Sequence, residues 1–141
     1  MKAKLEVIKG TNLKLFNANT STLLETLELG ASGYSGVMAN FHPELYVKLC
    51  NIYKEDPSKA RKIADFLTVA SLIERQVYPV NAKFYQKSIG NFNSIMTRTR
   101  DIKELNATGI LEIQQFVRFN EEFEKLWVEE LRYECLSRGD R

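Results

Sequence analysis

Cysteine is scarce in this chain: Cys50 and Cys135 are the only two among 141 residues, far apart and without a CxxC pair or a nearby histidine. Their spacing excludes a zinc site and a disulfide framework, so both thiols are expected to be reduced and structural. Histidine is scarcer still. His42 stands alone between the end of an apolar run and Pro43, and is expected to be an exposed loop residue rather than a proton carrier. An excess of one charge is also missing: 20 basic and 18 acidic residues leave a net charge of +2, with the signs mixed along the chain. No broad field then favours nucleic acid or an anionic membrane surface, and neither is expected as a partner. No apolar stretch approaches the roughly 18 residues of a membrane span. The first ten residues also lack the apolar run of a secretory leader, so the expected compartment is the cytoplasm. Without a leader, the sequons at Asn19 and Asn106 and the Arg138-Gly139-Asp140 tripeptide read as chance matches. Internal repeats and low-complexity segments are absent.

What is present is ordinary globular composition, 44% hydrophobic and 27% charged, with enough length for one core. Lys4 to Lys9 suit the last turns of a surface helix closed by Gly10. Leu13, Leu15 and Phe16 form a compact apolar run, expected as a strand buried on both faces. Thr20 or Ser21 can cap a helix over about Thr22 to Leu29, which carries Leu23, Leu24 and Leu27 at helical spacing and ends in Gly30. Tyr34 to Ala39 reads as a second buried strand. Pro43 opens a helix with an apolar face of Leu45, Val47, Leu49, Ile52 and Tyr53, which ends at Asp56, Pro57 and Ser58. Alternation of this kind argues for βα units on a parallel sheet.

From Ser58 the pattern becomes helical. Ala60, Ile63, Ala64, Leu67, Ala70, Ser71 and Ile73 mark one helix to about Gln76, Asn81 to Ile89 a second, and Leu111 to Leu136 a third. The third is amphipathic through Ile113, Phe116, Val117, Phe119, Phe123, Leu126, Trp127 and Leu131, a stripe read as core or subunit contact. Two parallel strands expose two edges and cannot close a sheet whose apolar strands require cover on both faces. The sequence is accordingly expected to be a piece of a larger fold.

The stretch from Leu29 to Glu44, LGASGYSGVMANFHPE, follows the pattern Gly-Ala-x-Gly, strand, Ala-Asn-x-x-Pro. It resembles the eighth-strand signature of the dihydrodipicolinate synthase and N-acetylneuraminate lyase family of class I aldolases. Leu13 to Asn19 is similar to that family's seventh strand, and the spacing from Ala18 to Gly30 matches. Downstream, the Asp56–Ala60 break, the helix through Ile73, Pro79 with Lys83 and Gly90, and Arg98 with Arg100 resemble the family's C-terminal helices in order. The resemblance implies an α/β fold: a partial (β/α)₈ TIM barrel, with its last two strands and their helices in residues 1–55. A three-helix C-terminal appendix follows in residues 56–141.

The chemistry implied by the resemblance is Schiff-base condensation or cleavage of 2-keto acids such as pyruvate, with an aldehyde as the other small-molecule partner and a homo-oligomeric parent enzyme. No cofactor is implied, because the lysine imine is itself the electron sink. The lysine belongs to strand six and the family's catalytic tyrosine and threonine-bearing loop to other earlier strands, all expected before Met1. This chain therefore contributes no catalytic residue in that reading, and Lys83 is expected to pair or cap. Active sites of barrels lie at the C-terminal strand ends. The implied substrate wall is Ala18, Asn19, Thr20 and Ser21 after strand seven, with Ser35 and Gly36 in strand eight. Asn19, Thr20 and Ser21 equally suit a helix N-cap and turn. A different class of function, a non-catalytic remnant acting as a helical interaction module, is the alternative.

Overall fold

Glycine and proline punctuate this chain where the sequence places them. In the computed structural model, which describes the backbone of residues 1–138 and the side chains of residues 1–126, the fold is α/β and mostly helical. Helix α1 (Lys2–Ile8) buries no residue, and Gly10 follows its end at φ +79°. Strands β1 (Phe16–Asn17) and β2 (Gly33–Tyr34) pair in parallel, Phe16 opposite Gly33 and Asn17 opposite Tyr34. Two flanking bonds lengthen the ladder: Ser32 N–H donates to the Leu15 carbonyl at 2.7 Å and Ser35 N–H to that of Asn17 at 2.8 Å.

Both strands are shorter than their apolar runs predicted, and the first is not buried on both faces: Leu13 is 67% and Phe16 49% exposed. Among the described residues each strand has one neighbour, and the partner of Phe16 is a glycine, so no facing side chain covers its ring. The expected second strand stops at Tyr34, because the chain leaves Gly36 into a 3₁₀ turn over Val37–Asn40. The Asn40 amide donates to the Val37 carbonyl at 2.9 Å and holds that turn.

Between the strands, Thr20–Thr22 form a 3₁₀ turn that runs into α2 (Leu23–Glu28). Neither Thr20 nor Ser21 caps it. Asn19 does, because its Oδ1 reaches the amide two residues on, at 3.0 Å from Ser21 N. At the other end Gly30 (φ +102°) donates to the Leu27 carbonyl and Ala31 N–H to that of Thr26, a Schellman closure that only an unhindered residue adopts cheaply. Helices α3 (Pro43–Ile52) and α4 (Pro57–Glu74) each begin with proline at the first turn, where no amide hydrogen is needed, and Asp56 caps α4 by accepting from Lys59 N–H. The face that α3 buries is Leu45, Tyr46 and Leu49; Val47, predicted on it, is exposed, since it lies across the helix from that stripe. Leu23, Leu27, Leu49, Ile63 and Leu67 are fully enclosed, each contributing about 1.5–3 kcal/mol of transfer free energy.

Residues Met1–Tyr78 form one compact unit, and the described residues from Pro79 onward form a second. The second contains α5 (Val80–Ser88), a 3₁₀ turn at Ile102–Glu104 with an Asp101/Glu104 capping box, and α6 (Ala107–Arg138), which starts before the expected Leu111. Helix α5 packs on α6 through Tyr85 and Phe116, ring centroids 6.0 Å apart, and Asn120 donates to the Tyr85 hydroxyl at 3.3 Å. Of the predicted α6 stripe, Ile113 and Phe116 are buried, Val117 and Phe123 half-buried, and Phe119 and Leu126 exposed. The side chains of Trp127, Leu131, Cys135 and Arg138, and the whole of Gly139 and Asp140, lie outside the described residues.

Candidate functional site

The segment leaving β1 is pinned from beneath. Asn17 is buried; its amide donates to Thr22 Oγ1 at 3.0 Å and Thr26 Oγ1 at 2.8 Å, and its Oδ1 accepts from Asn19 N–H at 2.8 Å. Three bonds from one side chain fasten the strand end to Asn19, to Thr22 and, within α2, to Thr26, a role the sequence reading missed. Beside this anchor lies an open hollow of about 470 Å³, lined by Ala18, Ser35, Gly36, Val37 and Asn40. Both parallel strands thus deliver residues to one place just past their ends.

Three of the six candidate wall residues, Ala18, Ser35 and Gly36, line this hollow. Asn19 and Ser21 are exposed and joined in the cap, and Thr20 faces inward at 6% exposure. Val37 and Asn40 complete the lining and were not anticipated. The Asn40 amide also donates to the Tyr78 hydroxyl at 3.2 Å. Gly36 is required by space: a Cβ there would run into the Tyr34 hydroxyl and stand 2.7 Å from the Ala18 carbonyl oxygen.

Behind the hollow lies a buried polar group. Thr20 Oγ1 is 3.0 Å from the Tyr34 hydroxyl and 2.8 Å from that of Tyr46, and the two rings stack with centroids 4.1 Å apart and 9° between planes. Burial drives the Tyr46 hydroxyl far above the usual tyrosine range, against the opposing pull of its bond to Thr20. Next to Tyr46 is His42, which corrects the expectation of an exposed loop residue: it is 1% exposed, packs against Tyr46 and Phe66, and places Nε2 2.9 Å from Glu74 Oε1. Burial raises the Glu74 carboxyl above its ordinary range, and the bond and charge of His42 pull the other way. His42 comes inside because it lies one turn before Tyr46 on the face that α3 presents to α4, where Glu74 continues the buried row of Ile63, Leu67 and Ala70. An acidic residue in step with an apolar row was the available signal.

The profile of the Dihydrodipicolinate synthetase family matches residues 2–99. The chain belongs to this family. No curated protein and no solved structure matches it. The span shared with the dihydrodipicolinate synthetase family takes in both strands, the hollow and the buried polar group, and it ends before α6 begins. The family relationship is to lyases of the aldolase type. No lysine of the chain is buried and none lines the hollow; Lys83 donates through Nζ to the Met96 carbonyl, holding the segment after α5. Among the described residues, no group of three His, Cys, Asp or Glu could hold a metal ion, and no helix is long and apolar enough to cross a membrane.

Proposed function

We propose that this chain forms the strand-seven and strand-eight side of a (β/α)₈ barrel, in a homo-oligomeric Schiff-base lyase that condenses or cleaves 2-keto acids such as pyruvate with an aldehyde. The observation that carries this reading is the convergence of both parallel strand ends on one hollow, inside the span matched by the family. Barrel chemistry occurs at that end of the strands. The residues here bind and orient. Ser35 and Gly36 supply backbone groups and room beside the keto acid, while Asn40 presents an amide oriented by Val37 and Tyr78. Asn19 and Ser21 follow the lining residue Ala18 and are exposed, so they can offer neutral hydrogen bonds to a substrate tail. An imine-forming lysine requires a desolvated pocket, and every lysine here is exposed or half-buried, in keeping with the strand-six lysine that the family resemblance implies.

The test joins residues 1–141 to the first six strands of a lysine-bearing family member and treats the hybrid, and this chain alone, with pyruvate and borohydride. The hybrid is expected to gain one adduct on the strand-six lysine, and its Gly36→Leu variant to lose it, because the hollow wall has no space for the side chain. An adduct on any lysine of residues 1–141 alone, Lys83 included, overturns the assignment. The alternative, a non-catalytic helical interaction module, draws on the exposure of Leu111, Phe119 and Leu126 along α6. A correctly folded hybrid that traps no pyruvate selects it.

A further inference from the structure

We infer that Thr20 is a positioning residue of the strand-end site: its hydroxyl clasps Tyr34 against Gly36 and thereby fixes the backbone that lines the hollow. The inference rests on the reading of that hollow as the keto-acid site. Thr20 follows the lining residue Ala18 by two residues, yet points away from the hollow, into the space between two tyrosine hydroxyls at 3.0 Å and 2.8 Å. A hydroxyl donates once and accepts as well, so Oγ1 can serve both tyrosines at the same time. The stacked rings leave little freedom for either hydroxyl to move without the other. The Tyr34 hydroxyl occupies the place of a side chain at Gly36, and the Ala18 carbonyl oxygen closes the other side at 2.7 Å from the same point. Gly36 is therefore held between Tyr34 and Ala18, and both Gly36 and Ala18 face the hollow. One segment, Ala18 to Thr20, provides a wall residue and the anchor for the opposite wall.

The consequence separates this role from direct contact with substrate. If Thr20 touched the aldehyde, loss of its hydroxyl would change aldehyde KM and leave imine formation alone. As the clasp, it sets the keto-acid side, and a displacement near 1 Å there costs on the order of 10- to 100-fold in rate. In the hybrid barrel, Thr20→Val is expected to slow borohydride trapping of pyruvate by about ten-fold or more. Thr20→Ser, which keeps the hydroxyl, should stay close to the parent rate, and Tyr34→Phe should reproduce the loss. In the 141-residue chain, the near-ultraviolet circular dichroism of the stacked tyrosines should change in Thr20→Val and persist in Thr20→Ser. Parent-like trapping in Tyr34→Phe, or a Thr20→Val variant altered only in aldehyde KM with its tyrosine spectrum intact, overturns the clasp. A parent hybrid that traps no pyruvate defeats the functional reading instead, and the tyrosine spectra still decide the clasp.

Discussion

Removing His42 while leaving Glu74 in place is the sharpest test of how the first unit is held together. His42 Nε2 and Glu74 Oε1 stand 2.9 Å apart with both side chains fully enclosed, so the contact between them offsets the cost of taking both groups out of water. Such a buried polar pair contributes little net stability when intact, whereas removing one member takes from the other a contact that water does not replace there. His42→Leu is accordingly expected to destabilise the chain by about 3–5 kcal/mol near neutral pH.

The pH dependence follows from the direction of the Glu74 shift. Burial raises its folded value above the ordinary 4.5, so its stabilising contribution is complete below that ordinary value and is lost as pH climbs through the raised folded one. In His42→Leu, the bond and the charge that pull the carboxyl down are both gone, so the folded value rises further and the deficit widens as pH climbs from the ordinary carboxylate value toward that raised one. Glu74→Gln added to His42→Leu removes the titrating group, and should recover most of the loss and flatten the profile. The assay is urea unfolding followed by far-ultraviolet circular dichroism across that range. A His42→Leu deficit independent of pH, or a double variant as unstable as the single one, refutes the reasoning.

Two further outcomes follow from the same structure. Asn17→Ala, which strips the strand-end anchor of three hydrogen bonds and leaves a buried threonine hydroxyl short of a partner, is expected to cost about 1–3 kcal/mol and to speed hydrogen exchange at the Asn19 amide; unchanged exchange there counts against the anchor. The exposed Leu13 and Phe16 beside an open sheet edge should drive concentration-dependent self-association of the chain, and Leu13→Lys with Phe16→Lys should abolish it in sedimentation velocity. A strictly monomeric parent chain would defeat that expectation.

The helices were legible because their signals are local. Pro43 and Pro57 fix the starts of α3 and α4, Gly10 and Gly30 follow the ends of α1 and α2, and the spacing of Ile63, Leu67 and Ala70 sets the buried side of α4. The strands were overdrawn because an apolar run reports a tendency toward burial, and its realisation depends on neighbours far away in sequence. Leu13 and Phe16 have the composition of a two-sided strand and only one strand beside them among the described residues. His42 shows the opposite failure. A lone histidine before a proline reads as loop, and its burial is decided by Glu74 on another helix.

The candidate wall exposes a limit of a different kind. Asn19, Thr20 and Ser21 are three consecutive small polar residues, each able to cap a helix, line a turn or meet a substrate, and composition cannot sort them. The sorting comes from two backbone amides and the side chains that capture them. Asn17 takes the Asn19 amide, which sets Asn19 so that its own side chain captures Ser21 N–H. Once Asn19 has capped the turn, the Thr20 hydroxyl is released from that duty, and the backbone it sits on directs it toward Tyr34 and Tyr46. Those tyrosines are 14 and 26 residues away along the chain. The inward direction of Thr20 therefore depends on Asn17 as much as on Thr20 itself, and Asn17→Ala should disturb the stacked-tyrosine spectrum although it touches neither ring.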